Sequence, residues 1–315
     1  MYGLKGKLQS NHTCQNCFDT YYITAPKGDW AVAQWCKSCR FRCDICNGEG
    51  VIFSSRPDRY QTVTDCPQCS GIERRMKLFN EAKLPARYHD KDFGSFSTYS
   101  DDAATRKVGN LVEVHHDLYN YALEFVPGSP GVLMAGNVGT GKTHLMAAFV
   151  RQLTLEKGFQ CRFIEFSHLL SKLREAYETR QNSIDIINRL ATVPVLFIDE
   201  LGKGRKTDWE LSIIDELISK RYNGCLSTFF TTNYRLGSSR DAPRKKKARV
   251  VDTHDKDFKN QLFLETLEDR VGQRIVSRLF EMCQVIEIED VPDYRQRRMQ
   301  KSHTQGRKLG RFSKP

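Results

Sequence analysis

The sequence has no apolar stretch able to cross a bilayer as a helix. Its longest uncharged run, Phe125 to Gly141, has 17 residues and contains five Gly and two Pro, which makes it too short and too broken to span. The opening residues, MYGLKGKLQSNHTC, lack the apolar core of a secretory signal. The resulting expectation is a cytoplasmic protein with no membrane association, whose cysteines are thiols or metal ligands rather than disulfides. Acid is scarce in two places. Residues 295–315 hold eight Lys/Arg and no Asp or Glu, and residues 240–249 hold six Lys/Arg against one Asp, so these arms outweigh the whole net charge of +11. Basic arms on a nearly neutral body suit a polyanionic partner, nucleic acid first.

What is present is globular in composition, 39% hydrophobic and 28% charged, and 315 residues suffice for two domains or for one large domain with an appendage. Eight of the eleven cysteines precede residue 70. That asymmetry divides the chain into a cysteine domain over 1–78, a connector over 79–102, a larger domain over 103–294 with a charged insertion at 240–259, and a basic tail over 295–315. In the larger domain, β-rich runs at Val132–Ala135, Cys161–Phe166, Val195–Asp199, Leu226–Thr232 and Val285–Ile288 alternate with amphipathic stretches. Those stretches are Ala103–Phe125, Thr143–Lys157, Ser167–Arg180, Trp209–Tyr222 and Thr266–Phe280. Such alternation predicts an α/β fold with a parallel sheet covered by helices on both faces.

After the run Val132–Ala135 comes Gly136-Asn137-Val138-Gly139-Thr140-Gly141-Lys142-Thr143, followed by His144. This is G-x-x-x-x-G-K-[ST] in its required setting, between a strand and a helix. Glycines let backbone N–H groups approach phosphate oxygens, Lys142 reaches the β/γ-phosphates of ATP, and Thr143 binds Mg²⁺. The strand ending in Asp199-Glu200 supplies a second Mg²⁺ ligand, Asp199, and a carboxylate that orients the attacking water, Glu200. A further strand ends in Thr231-Thr232-Asn233 and places Asn233 where a neutral side chain can sense the γ-phosphate.

The segments GNVGTGKTHL at 136–145, VLFIDELG at 195–202, FTTN at 230–233 and GQRIVSRL at 272–279 together resemble the AAA+ ATPases of the helicase-loader family, DnaC/DnaI-like and IstB-related. The resemblance covers about residues 83 to 295. It implies an ATPase that self-associates in an ATP-dependent oligomer and binds single-stranded DNA, with an arginine finger at Arg278, Arg274 as runner-up, and a nucleotide-sensing arginine at Arg295. It further implies single-strand contacts on the helix between the two nucleotide motifs, where Lys172, Arg174, Tyr177 and Arg180 lie.

The cysteines form four C-x₂-C pairs, Cys14/Cys17, Cys36/Cys39, Cys43/Cys46 and Cys66/Cys69. Intervals of 18 and 19 residues inside Cys17–Cys36 and Cys46–Cys66 fit Cys₄ zinc sites and predict two Zn²⁺ ions. Consecutive pairing is the simplest arrangement. Cys43-Asp-Ile-Cys46-Asn-Gly48-Glu-Gly50 also resembles the DnaJ-type C-x-x-C-x-G-x-G repeat, and interleaved pairing stays open. Redox dithiols and an iron–sulfur cluster are the other uses of such pairs. Cys161, Cys225 and Cys283 sit in apolar runs and read as buried small side chains. In the loader resemblance, residues 1–78 bind the replicative helicase. The alternatives are an IstB-like ATPase that targets a transposase to DNA, and a zinc-dependent adaptor for which nucleotide is only a structural ligand.

Overall fold

Alternate residues of the central strands enter two different cores, and this organises the molecule. The strands are β5 (Gly131–Gly136), β6 (Cys161–Glu165), β7 (Val195–Asp199), β8 (Ser227–Thr232) and β9 (Cys283–Ile288). They form one sheet in the order β6-β7-β8-β5-β9, and every neighbouring pair is parallel. Val132, Met134, Phe163, Val195, Phe197 and Phe229 point into one core, while Leu133, Ile164, Leu196, Ile198 and Phe230 point into the other. β5, β7 and β8 are buried along nearly their whole length, which is why they read as continuous apolar runs instead of alternating ones.

This is a computed structural model, and it describes residues 14–38, 43, 45–47, 49–55, 61–67, 69–98, 109–179, 183–237, 265–289, 291, 293 and 294. Cys39, Arg180, Arg295, the 240–259 insertion and the 295–315 tail lie outside the described residues. No described helix is long and apolar enough to cross a membrane.

One sheet face is covered by α1 (Ser70–Ala82), α2 (Leu111–Glu124) and α3 (Lys142–Arg151). The other is covered by α4 (Phe166–Glu178), α5 (Ser183–Thr192), α6 (Asp208–Asn223), α7 (Leu267–Val271) and α8 (Gln273–Met282). Thr207 and Thr266 open α6 and α7 with reciprocal capping boxes to Glu210 and Asp269. The single helix expected over Thr266–Phe280 is two, because Gly272 takes φ 88° between α7 and α8. The helix expected to run to Lys157 leaves α geometry at Gln152 and closes with a wider turn through Glu156. Phe166, expected in a strand, begins α4.

The N-terminal region consists of two hairpins, β1 (Tyr22–Lys27) with β2 (Trp30–Trp35), and β3 (Val51–Ser55) with β4 (Gln61–Asp65). The chain passes residue 78 inside α1, which carries it without interruption from Cys69 to the core under the central sheet. The first hairpin shares that core: Tyr22, Ala31 and Ala33 are buried with α1 and α3. Tyr22 donates to Glu156 at 2.8 Å, Arg151 donates to Thr24 at 2.9 Å, and the Asn80 amide pairs with both backbone groups of Ala33 at 2.7 and 3.1 Å.

Candidate nucleotide site and cysteine clusters

β5 ends at Gly136 and α3 begins at Lys142, so the intervening loop turns at the C-terminal edge of the sheet with its backbone wrapped around the Lys142 side chain. The ammonium is buried and donates to Gly136 O at 2.8 Å and to Asn137 O at 2.7 Å. Thr140 Oγ1 donates to Asn137 O at 2.9 Å and tightens the same turn. Gly141 takes φ 97°, and a Cβ there would lie 2.6 Å from the ring of Phe96. The position therefore demands glycine both for its backbone angle and for space. Asn137 Oδ1 is buried with no hydrogen-bond partner among the described residues, and an acceptor left in that condition inside a phosphate-type loop suits a donor from outside the chain.

The neighbouring strands bring the second motif to this loop. Thr143 Oγ1 lies 3.0 and 3.1 Å from the two oxygens of Asp199. Thr231 Oγ1 donates to Asp199 Oδ1 at 2.6 Å and accepts from Glu200 N–H at 2.9 Å. Thr231 thus bridges the Asp199 carboxylate and the Glu200 backbone, whereas the sequence alone implies only γ-phosphate sensing at this strand end. Asn233 follows β8, half-buried. Burial raises the Asp199 carboxyl to about 6, and the Glu200 charge beside it adds to the effect. A divalent cation between Thr143 and Asp199 would relieve that unfavourable ionisation, so the donor set fits Mg²⁺. Glu200 has φ 56°, and its carboxylate is paired with Lys203, which also reaches Glu165 Oε1 at 3.3 Å.

The connector, whose polar and aromatic composition suits docking on the following domain, forms one wall of the site. His144 Nε2 lies 3.0 Å from Asp92 O and 3.2 Å from Ser95 Oγ, and burial holds its pKa below the usual histidine value. Phe96 stacks on His115 at 5.6 Å and meets His144 edge-on. From the opposite end of the chain, Tyr294 N–H donates to Gly139 O at 3.1 Å and the Asp293 side chain abuts Gly139. The residues directly before Arg295 therefore lie against the phosphate-type loop.

Arg278, on α8, donates to Asp215 Oδ1 and to Ser219 Oγ, each at 2.7 Å, and its side chain is 20% exposed. Arg274 is 3.8 Å from the same Asp215 carboxylate and is 73% exposed. On α4, Arg174 is paired with the buried Glu210 carboxylate and lies over Trp209, while Lys172 lies 5.8 Å from the Trp30 ring. Tyr177 projects from the same helix, 77% exposed.

The cysteines resolve into consecutive groups. Cys43, Cys46, Cys66 and Cys69 form one set, with Cys14, Cys17 and Cys36 in another, and within each set the sulfurs lie within 4.8 Å of one another. Measured pairs are Cys14–Cys36 at 3.9 Å, Cys43–Cys66 at 3.7 Å and Cys46–Cys69 at 3.2 Å. Four thiolates at about 2.3 Å from one tetrahedral zinc stand about 3.8 Å apart, so the spacing fits Zn²⁺. Burial and neighbouring sulfurs push the Cys69 thiol well above its ordinary range; metal ligation is what stabilises thiolates in such a place. Cys161 and Cys283 are buried as expected, but Cys225 is exposed, because it takes φ 48° in the turn that precedes β8.

Residues 70–242 match the family model described as IstB-like ATP binding protein. The chain is 29% identical over 170 residues to the uncharacterized protein YqaM of Bacillus subtilis (strain 168), covering 49% of this chain and 50% of that one. It is 29% identical over 117 residues to the replicative helicase loader DnaC of Escherichia coli (strain K12), covering 37% and 47%. The chain thus spans about half the length of these relatives. Among solved structures it is similar to the DnaC helicase loader, at 23% identity and TM-score 0.49 over 64% of this chain and 99% of that chain. It is also similar to DnaI, at 19% identity and TM-score 0.47 over 67% and 93%.

Proposed function

The chain belongs to the family of IstB-like ATP-binding proteins, and from that premise we propose that it is an ATP-hydrolysing loader of a replicative DNA helicase. The observation that carries the catalytic part is the convergence of Lys142, Thr143, Asp199 and Glu200 at the C-terminal edge of the sheet. Lys142 exchanges its loop carbonyls for β/γ-phosphate oxygens, and the backbone amides of 137–143 receive the rest of the triphosphate. Thr143 and Asp199 hold Mg²⁺, which supplies charge neutralisation at the phosphoryl group. Glu200, once released from Lys203, orients the attacking water, with Asn233 and Thr231 beside the strand end. Arg278 acts from a neighbouring subunit and Arg295 from the same one, so that nucleotide state is coupled to assembly.

The two cysteine sets each hold one Zn²⁺, Cys39 completing the first, and residues 1–78 grip the helicase in the cytoplasm. Single-stranded DNA runs along α4, with Tyr177 offering a face for base stacking. The similarity to DnaC supports the loader reading, while the IstB-like family model supports a second one, delivery of a transposase to duplex DNA. Affinity capture with the full chain in the presence of ATP separates them. Recovery of the host's replicative helicase, lost on deleting residues 1–69, is the expected result, and recovery of a transposase instead would replace the reading.

A further inference from the structure

The parallel pairing of β7 with β8 ends at Ile198 and Phe230, one residue short of the carboxylates. Two buried threonines take over from the ladder there. Thr231 Oγ1 accepts from Glu200 N–H at 2.9 Å, and Thr231 O accepts from Leu201 N–H at 2.7 Å. Thr232 Oγ1 donates to Leu201 O at 3.0 Å, so β8 holds three consecutive peptide groups, including those on either side of Glu200. Between these bonds Glu200 takes φ 56°, a left-handed conformation that a glutamate keeps only where its surroundings hold it. In a strand that ran on, Glu200 would point to the opposite face from Asp199. The turn instead leaves the two carboxylates close enough for the Glu200 charge to act on Asp199. The direction of the bonds is fixed as well. An amide can only donate, so the Thr231 hydroxyl accepts from Glu200 and sends its single proton to Asp199 Oδ1 at 2.6 Å. Thr231 is 1% exposed, which keeps solvent from competing for either bond.

We infer that Thr231 is a positioning residue for ATP hydrolysis, whose one hydroxyl both orients the Asp199 carboxylate for Mg²⁺ and keeps Glu200 in its left-handed turn. The inference rests on the ATPase reading above and deepens it. Thr231 acts through its two neighbours and not on the nucleotide itself. Thr143 meets the same carboxylate from the loop side, so Asp199 is held between β8 and α3. A partner that fixes a ligating carboxylate governs how well that carboxylate takes its metal. Valine has the shape of threonine and can make neither hydroxyl bond, and its substitution therefore separates the hydroxyl's role from its packing.

The test compares Thr231→Val and Thr231→Ser with wild type in the full chain. Without nucleotide or metal, amide hydrogen exchange in Thr231→Val should rise roughly tenfold at Glu200, while Leu201, bonded to a backbone oxygen, keeps its protection. The Mg²⁺ concentration that gives half-maximal binding of mant-ATP should rise roughly tenfold, and kcat should fall by about 10- to 100-fold with mant-ATP affinity in excess chelator unchanged. Thr231→Ser keeps the hydroxyl and should restore all three quantities. Thr231→Ala serves if Thr231→Val folds poorly. Wild-type exchange at Glu200, or a wild-type Mg²⁺ midpoint, in Thr231→Val overturns the inference and leaves the ATPase reading standing. Equal losses in Thr231→Val and Thr231→Ser trace the effect to packing and also overturn it. Absence of Mg²⁺-dependent ATP hydrolysis by wild type overturns both.

Discussion

The Thr143 hydroxyl sits 3.0 and 3.1 Å from the two oxygens of Asp199, joining the first turn of α3 to the end of β7 across 56 positions of sequence. Neither residue reaches the other through local chain geometry. The contact exists because β5 and β7 both flank β8 in a parallel sheet, so their C-terminal ends open at one edge.

The proposed roles at that edge divide labour between phosphate and water. Lys142→Ala should abolish nucleotide binding, while Glu200→Gln should bind ATP normally and lose turnover by at least about a hundredfold, read by equilibrium binding and by phosphate release. Turnover by Glu200→Gln equal to wild type would remove Glu200 from the water-orienting role.

Asp199 illustrates function held against stability. Its pKa, ordinarily 3.8, is raised to about 6, chiefly by burial. A raised carboxyl stabilises the fold below the unfolded value and loses that contribution as pH rises through the folded value. The apo protein therefore bears a cost on the order of 3 kcal/mol at neutral pH. Asp199→Asn should melt higher than wild type at pH 7.5 without nucleotide, with the difference vanishing near pH 4, and should fail to bind Mg²⁺-ATP. A lower melting temperature for the variant at pH 7.5 would show that the hydrogen bonds from Thr143 and Thr231 outweigh desolvation.

The legible parts of the sequence were those where chemistry constrains neighbours along the chain. The 136–143 loop and the Asp199-Glu200 strand end are local patterns, and both sit where the sequence placed them. The strand end Thr231-Thr232-Asn233 is legible, but its contact with Asp199 is not, because β8 is buried on every residue and a strand with no exposed side gives no signal of which side chain faces Asp199. Helix α5 was missed for a different reason: it is short, and it follows α4 so closely that its pattern merges with its neighbour's. Gly272 reads as tolerable inside a helix, and only its φ of 88° shows that the chain turns there. The contact between Phe96 and Gly141 depends on how the connector crosses α3, which no periodicity encodes.

The two hairpins of the cysteine region should respond differently to metal removal. Metal analysis of reduced protein should find two zinc ions per chain. Chelation should unfold β3–β4, whose buried residues are largely the cysteines themselves, while β1–β2 keeps the packing it shares with α1 and α3. Hydrogen exchange should show protection lost over 43–66 and kept over 22–35, with ATP affinity little changed. Loss of protection in both hairpins would make zinc, rather than the shared core, the support of the first. Iron in place of zinc would replace the assignment.

The arginine finger is the sharpest point of choice. In the single chain Arg278 is tied to Asp215 and Ser219 of α6, and Arg274, one turn earlier, shares the same carboxylate from a far more exposed position. Acting on a neighbour's ATP thus requires Arg278 to leave Asp215, an exchange of one carboxylate partner for the γ-phosphate of another subunit. Arg278→Ala should bind ATP almost normally and lose turnover on the order of 10³-fold. On the proposal that the residue acts in trans, mixing it with Glu200→Gln should restore part of the activity at interfaces that pair an intact Glu200 with an intact Arg278. Neither variant alone can do this. Asp215→Asn, which loosens the tether and leaves the guanidinium free, should keep the turnover that Arg278→Ala loses. If Arg274→Ala instead abolishes hydrolysis while Arg278→Ala stays near wild type, the finger is Arg274, and the Arg278–Asp215 pair is a brace between α8 and α6.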